Sequence, residues 1–175
     1  MSGHNKWSKI KRQKGSEDAA RSKLFSKLVR YITVEAKKAN GVLTSPGLQT
    51  AIKKARDANM PNDTIERAIK KSTEAGAAME SITYEAYGPG GTAFIIEALT
   101  DNRNKAAQEI KHILSDHGAS LAAIGAATWA FEKTNEGWVP NTTVALSDED
   151  GAKLQELVGD LEENDEVQDV YTNAE

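Results

Sequence analysis

ITYEAYGPGGTAFIIEAL, residues 82–99, is where the chain changes period. Ile82, Tyr84 and Ala86 alternate with Thr83, Glu85 and Tyr87, the pattern of a strand with one buried face and one solvent face. Gly88-Pro89-Gly90-Gly91 is a turn, and Thr92 to Leu99 is a second, more deeply buried strand. The turn is not a phosphate loop, because no Gly-Lys-Ser/Thr follows and a strand rather than a helix comes next. Its glycines supply positive φ and its proline supplies rigidity. Upstream of this hairpin the apolar spacing is helical. Downstream, strands and helices alternate, so the expected fold class is α+β, with an N-terminal helical part and a mixed C-terminal part.

Downstream, Thr100-Asp101-Asn102 caps a helix running to about His117, with Gly118 just beyond it. Its buried stripe is Ala106, Ala107, Ile110, Ile113 and Leu114. Ala119 to Ala127 is small-residue rich and reads as a loop. Thr128 to Lys133 reads as a strand, Asn135-Glu136-Gly137 as a turn, and Val139 to Leu146 as another strand whose Pro140 sits at an edge or bulge. Ser147 with Asp150 resembles a capping box, ahead of Leu154, Leu157, Val158 and Leu161 at helical spacing. Glu166 to Tyr171 is a final strand. From Thr92 the order is β-α-β-β-α-β, a split βαβ (ferredoxin-like) arrangement with its helices on one sheet face. Tyr84, Trp129 and Phe131 are expected in the core, and Trp138, beside a turn, is the aromatic expected at the surface.

Upstream, Ser16 is a candidate cap for a helix over about Glu17 to Ala39, stopped by Asn40-Gly41. Leu24, Phe25, Leu28, Ile32, Ala36 and Ala39 share one face at 100° per residue, and Lys23, Lys27, Arg30 and Lys37 share the opposite one. Ser45-Pro46 starts a second helix with Leu48, Ala51, Ile52 and Ala55 inside and Lys53, Lys54 and Arg56 toward solvent. Asn59-Met60-Pro61 opens a third, with Ile65, Ala68 and Ile69 inside and Arg67, Lys70 and Lys71 outside. Thr73 to Glu80, TEAGAAME, is a linker. Residues 1–75 therefore read as a three-helix domain with a thin, alanine-rich core, and residues 80–175 as the α+β domain.

Charge separates the same two parts. The whole chain of 175 residues carries a net charge of −4. Residues 1–75 hold 17 Lys+Arg against 7 Asp+Glu, a net of +10, while residues 76–175 hold 5 against 19, a net of −14. The cations begin in GHNKWSKIKRQK, residues 3–14, where Lys6, Lys9, Lys11, Arg12 and Lys14 crowd together with no acidic neighbour, alongside His4 and Trp7. Such crowding is self-repulsive unless a polyanion neutralises it, and each neutralised phosphate releases counterions. Trp7 adds a flat ring able to stack on a base.

Other chemistries are excluded or disfavoured. With no cysteine, disulfides, zinc–thiolate sites and cysteine nucleophiles are absent. No apolar run reaches the ~20 residues of a membrane span, and the N-terminus has no secretory h-region. His112 and His117 are five apart, the wrong spacing for two metal ligands on one helical face. No EF-hand spacing frames the acidic clusters at 148–150 and 162–166, and no nucleophile–base pair or paired carboxylates can be assembled. The sequence thus implies no enzyme, no cofactor, no metal and no membrane partner.

Four motifs in order, GHNKWSKIK at Gly3 to Lys11, ANMPNDTIERAIKK at Ala58 to Lys71, YEAYGPGG at Tyr84 to Gly91 and LTDNRNK at Leu99 to Lys105, closely resemble the YebC/PmpR family. The mitochondrial translational activators of cytochrome c oxidase subunit synthesis belong to the same family. The resemblance implies a helical N-terminal domain followed by α+β domains, and a non-enzymatic regulator of gene expression. Members are described as DNA-binding transcriptional regulators and as ribosome-associated factors that relieve stalling in translation. The first motif carries over His4, Lys6, Trp7, Lys9 and Lys11 as contact residues. Asn104-Lys105-Ala106 departs from the family's Asn-Arg-Thr, and Gly118 to Ala122 erodes a glycine-rich stretch. Full-length members also insert a further α+β domain between the equivalents of Lys133 and Val139, so this chain resembles a short form without it.

The combined expectation is a cytoplasmic, nucleic-acid-binding regulator. Its interface is His4, Lys6, Trp7, Lys9, Lys11, Arg12 and Lys14 of the tail with Lys23, Lys27, Arg30 and Lys37 of the first helix, and its second domain positions the first or binds a protein partner. The residues do not separate ribosomal RNA from duplex DNA, although a tail-plus-helix surface needs no groove code and so favours RNA on the ribosome. The alternative is a small-ligand or protein-interaction module of ferredoxin-like type.

Overall fold

A computed structural model of the chain describes residues 17–74 and 79–175. The basic tail, the Ser16 cap and the middle of the linker lie outside the described residues. Three helices come first: α1 (Glu17–Lys38), α2 (Pro46–Asp57) and α3 (Asn62–Thr73). They pack around Leu28, Ile32, Ala36, Leu48, Ala51, Ala55, Met60, Ile65 and Ala68. Alanine at four of these nine positions lets the helices approach closely but buries little area per residue. The α1 stop is as the sequence requires: Asn40 and Gly41 both take positive φ, and the Gly41 N–H bonds back to the Ala36 carbonyl at 2.9 Å. Ser45 does stand ahead of Pro46, but its side chain makes no capping hydrogen bond.

The remaining elements are β1 (Glu80–Tyr87), β2 (Ala93–Thr100), α4 (Arg103–Asp116), β3 (Ser120–Leu121), β4 (Phe131–Thr134), β5 (Gly137–Pro140), α5 (Asp148–Glu163) and β6 (Val167–Thr172). Between β1 and β2, Pro89–Gly91 makes one 3₁₀ turn in which Gly90 and Gly91 have φ of 65° and 78°. That is the backbone role expected of the glycine-rich stretch. Ser147 Oγ accepts from the Asp150 N–H at 3.1 Å, capping α5.

The α+β class stands, but two strands are placed differently from the sequence reading. The main sheet has the order β3-β1-β2-β6, and β4 and β5 pair with each other in a separate two-stranded sheet. Residues 128–130 form a 3₁₀ turn, and the strand after Gly137 ends at Pro140. Proline lacks the N–H a ladder needs, so β5 stops where it stands. The place in the main sheet goes instead to Ser120–Leu121, inside the expected loop, which pairs with Tyr87 and Ala86.

β2 explains why the hairpin sits apart. Phe94, Ile96 and Ala98 face Ile110, Leu114, Leu154, Leu157 and Leu161 from α4 and α5. Ala93 and Ile95 face the other way, into a second cluster with Ala127, Ala130, Phe131 and Tyr171. A strand apolar on both sides needs two covering layers. The helices supply one, and the β4–β5 hairpin with its preceding turn supplies the other. Gly137 closes that hairpin with φ 114°, and an added Cβ there would run into the Tyr171 ring. Burial, with Asp169 and Glu97 nearby, pushes the Tyr171 phenol well above its ordinary pKa.

The described chain clusters into two compact units, one comprising the helices to Ser81 together with Leu99–Asn102, the other Ile82–Ala98 and Arg103–Glu175.

Candidate nucleic-acid interface

α1 carries the four described members of the expected interface. At 100° per residue Lys23, Lys27, Arg30 and Lys37 do line one side, but Val34 lies at the centre of that side and is only 3% exposed. Arg30 is half-buried, and its Nη1 donates to the Leu99 carbonyl at 3.0 Å. That bond engages the guanidinium with the backbone at the end of β2. Lys23 and Lys27 are half-buried and Lys37 is exposed. The row therefore covers more of the fold at its middle than a solvent-facing stripe would. On the opposite side Leu28, Ile32 and Ala36 are buried as expected, but Leu24 is 47% exposed, near the helix start and outside the core cluster.

α2 and α3 add cations with clearer solvent access. Lys53, Lys54, Arg56, Lys70 and Lys71 belong to this set, as does Arg67, and all six are exposed. Lys53 pairs with Asp57 at 2.7 Å and Arg67 with Asp63 at 3.3 Å, both across one helical turn. Exposed pairs of this kind are worth well under about 1 kcal/mol and yield readily to a competing anion. Lys54 Nζ lies 5.4 Å from the centre of the Tyr31 ring, which holds a cation over α1. Lys70 and Lys71 close the last turn of α3, where the helix dipole favours positive charge. His4, Lys6, Trp7, Lys9, Lys11, Arg12 and Lys14 lie outside the described residues.

The second unit supplies different chemistry. The alternating pattern put Glu85 on the solvent face of β1, yet it is 6% exposed. Its carboxylate accepts backbone N–H groups from Gly125 at 2.6 Å, Ala127 at 2.9 Å and Thr128 at 2.8 Å. Burial raises its pKa, but these three donors outweigh burial and hold it below the ordinary 4.5. The signal was available: a loop of alanines and glycines has N–H groups and no side chains to satisfy them, so a nearby acceptor is required. Trp129 and Trp138 exchange their expected places. Trp129 is 58% exposed, while Trp138 packs into the second cluster and donates its Nε1–H to Glu97 at 3.0 Å. Phe131 and Tyr84 pack inward as expected.

The two described histidines each meet one carboxylate, His112 with Asp116 at 3.3 Å and His117 with Asp160 at 2.7 Å. Among the described residues no group of three or more His, Asp or Glu is arranged to hold a metal ion. No described helix is long and apolar enough to cross a membrane.

A basic three-helix unit joined to an acidic α+β unit with a two-faced central strand defines a two-part, charge-divided protein. The chain belongs to the TACO1/YebC family: residues 5–75 match the family's N-terminal domain, and residues 79–136 and 132–174 match its second and third domains. The two pieces of the second match meet at the β4–β5 turn. A "probable transcriptional regulatory protein" of Fervidobacterium nodosum is 49% identical over 173 residues, covering 95% of this chain and 68% of that protein. One of Pseudothermotoga lettingae is 38% identical over 238 residues, covering 100% of this chain and 94% of its own length. The relatives are therefore longer, and the chain is a short form. The crystal structure of a conserved hypothetical protein of Aquifex aeolicus superposes with a TM-score of 0.83 at 32% identity, covering 90% of this chain and 91% of that one.

Proposed function

We propose that the chain is a non-enzymatic, nucleic-acid-binding regulator of gene expression that acts in the cytoplasm. Residues 1–75 grip a phosphate backbone through the tail cations Lys6, Lys9, Lys11, Arg12 and Lys14, with His4 and Trp7, and through Lys23, Lys27 and Lys37. Arg30 contributes by holding α1 in place through Leu99, and Arg56, Lys70 and Lys71 extend the same positive field. Residues 80–175 position that half or bind a protein partner. The observation that carries the reading is the charge division, +10 in residues 1–75 against −14 in the rest. Relatives named as probable transcriptional regulatory proteins support a role in transcription. The absence of a groove-reading helix signature in the sequence supports backbone contact, on DNA or on ribosomal RNA.

Salt titration tests it. Affinity for duplex DNA or structured RNA should fall steeply with salt, by roughly 0.9 log units per log unit of salt for each phosphate neutralised. Lys9→Glu, Lys11→Glu and Lys27→Glu together should flatten the slope by about two to three units while the circular dichroism spectrum is unchanged. Equal affinity and slope in the triple variant would remove the proposal.

A further inference from the structure

The acidic half of the sequence does not spread its few cations evenly. Residues 76–175 hold five Lys and Arg against 19 Asp and Glu. Two of the five, Arg103 and Lys105, stand in the first turn of α4, directly after the segment Leu99–Asn102. That segment clusters with the helical unit although it continues β2. Arg30 is one reason: its bond to the Leu99 carbonyl ties the end of β2 to the middle of α1.

The turn that follows is fixed. Thr100 is fully buried, and its hydroxyl accepts from the Asn102 N–H at 2.9 Å and donates to the Asn102 carbonyl at 3.0 Å. Arg103 is the next residue in the chain and is exposed. Its Cα lies at most about 14 Å from that of Leu99, whose carbonyl Arg30 holds, because four residues can span no more. Chain connectivity alone therefore brings Arg103 into the neighbourhood of the α1 cations.

Lys105 has a different task. Its ammonium lies 3.6 Å from the Glu166 carboxylate and 3.7 Å from that of Glu109. Glu166 is 1% exposed and neither of its carboxylate oxygens has a hydrogen-bond partner, so it depends on Lys105 for its counter-charge.

We propose that Arg103 is a phosphodiester contact, added by the acidic half to the cationic surface of α1. The inference rests on the phosphate-binding reading above and extends it to a residue outside the basic half. A guanidinium pairs with two phosphate oxygens at once, which fixes direction as well as charge. The carboxylates that dominate residues 76–175 repel a polyanion, so a cation placed next to the helical unit sets where the backbone can pass. DNA and RNA share this phosphodiester chemistry.

Binding of the full chain to a short DNA duplex and to an RNA hairpin, each titrated with salt, tests it and shows which polymer the contact serves. Arg103→Gln should weaken binding about threefold to tenfold and lower the salt slope by about one unit on at least one of the two. Lys133→Glu and Lys153→Glu make larger charge changes in the same half and should leave affinity within about twofold. A second reading needs no variant: dicarbonyl modification of Arg103 in the wild-type chain, followed by mass spectrometry, should be suppressed several-fold by bound nucleic acid. Modification undiminished at saturation overturns the inference. So does Arg103→Gln binding both polymers with wild-type affinity and slope, or equal weakening by Lys133→Glu, which would reduce the effect to net charge. The phosphate-binding reading survives any of these results if the Lys9, Lys11 and Lys27 variant loses its slope; if that variant binds as wild type does, both fail together.

Discussion

The two units hold together by different means. The helical unit has one core, small-sided and rich in alanine, and spends its outer surface on lysine and arginine. The α+β unit has two cores, one on each face of β2, and a buried carboxylate that organises a loop. A three-helix unit with few large side chains has little stability in reserve. The half bearing the cations is therefore the easier to unfold, and the half bearing the acids is the stiffer platform.

Substitutions in the two cores separate the units most clearly. The largest effect is expected at Phe94, fully buried under α5, where Phe94→Ala should cost about 3–5 kcal/mol in denaturant unfolding. Ile32→Ala in the helical core should cost about 2–4 kcal/mol, yet hydrogen exchange should show it opening α1–α3 while β2 stays protected. Loss of protection in both units together would mean that they unfold as one.

Next comes Glu85→Gln, expected to cost about 2–3 kcal/mol, because one carboxylate serves three backbone donors. The pH dependence has a definite sign. The folded pKa lies below 4.5, so the stabilisation is complete above that value and is lost as pH falls through the folded pKa. Unfolding curves of Glu85→Gln should therefore run flatter than wild type below about pH 4.5, and an unchanged acid limb would contradict the role given to this carboxylate.

Arg30→Ala should cost about 1–2 kcal/mol by removing the bond to the Leu99 carbonyl. A purely phosphate-binding Arg30 would instead leave thermal stability unchanged. The smallest effect, within about 0.5 kcal/mol, is expected for Lys53→Ala, whose ion pair with Asp57 is exposed on both sides.

Most helix and strand positions were legible because period and punctuation agreed. Asn40-Gly41, Ser45-Pro46 and Ser147 marked helix ends that the structure places within a residue or two. What could not be read was which elements share a layer. The pairing of β4 with β5, and of Ser120–Leu121 with β1, depends on the second apolar face of β2, and a near-continuous apolar run does not say what covers each side. Glu85 was misplaced because amphipathic patterning assigns a face, while tertiary contacts decide whether that face meets water; Val34, buried on the cationic side of α1, shows the same effect. At the candidate interface the cation-rich stretches were visible from charge alone, but the Arg30–Leu99 bond and the burial of Val34 required the fold.

An amide NMR titration of the full chain with a short nucleic-acid duplex at low salt asks most directly whether the basic half is the binding half. Shift changes and broadening should concentrate in residues 1–75, in the tail and on α1, and retreat as salt is raised. Perturbations confined to residues 80–175 would contradict the division of labour between the two halves.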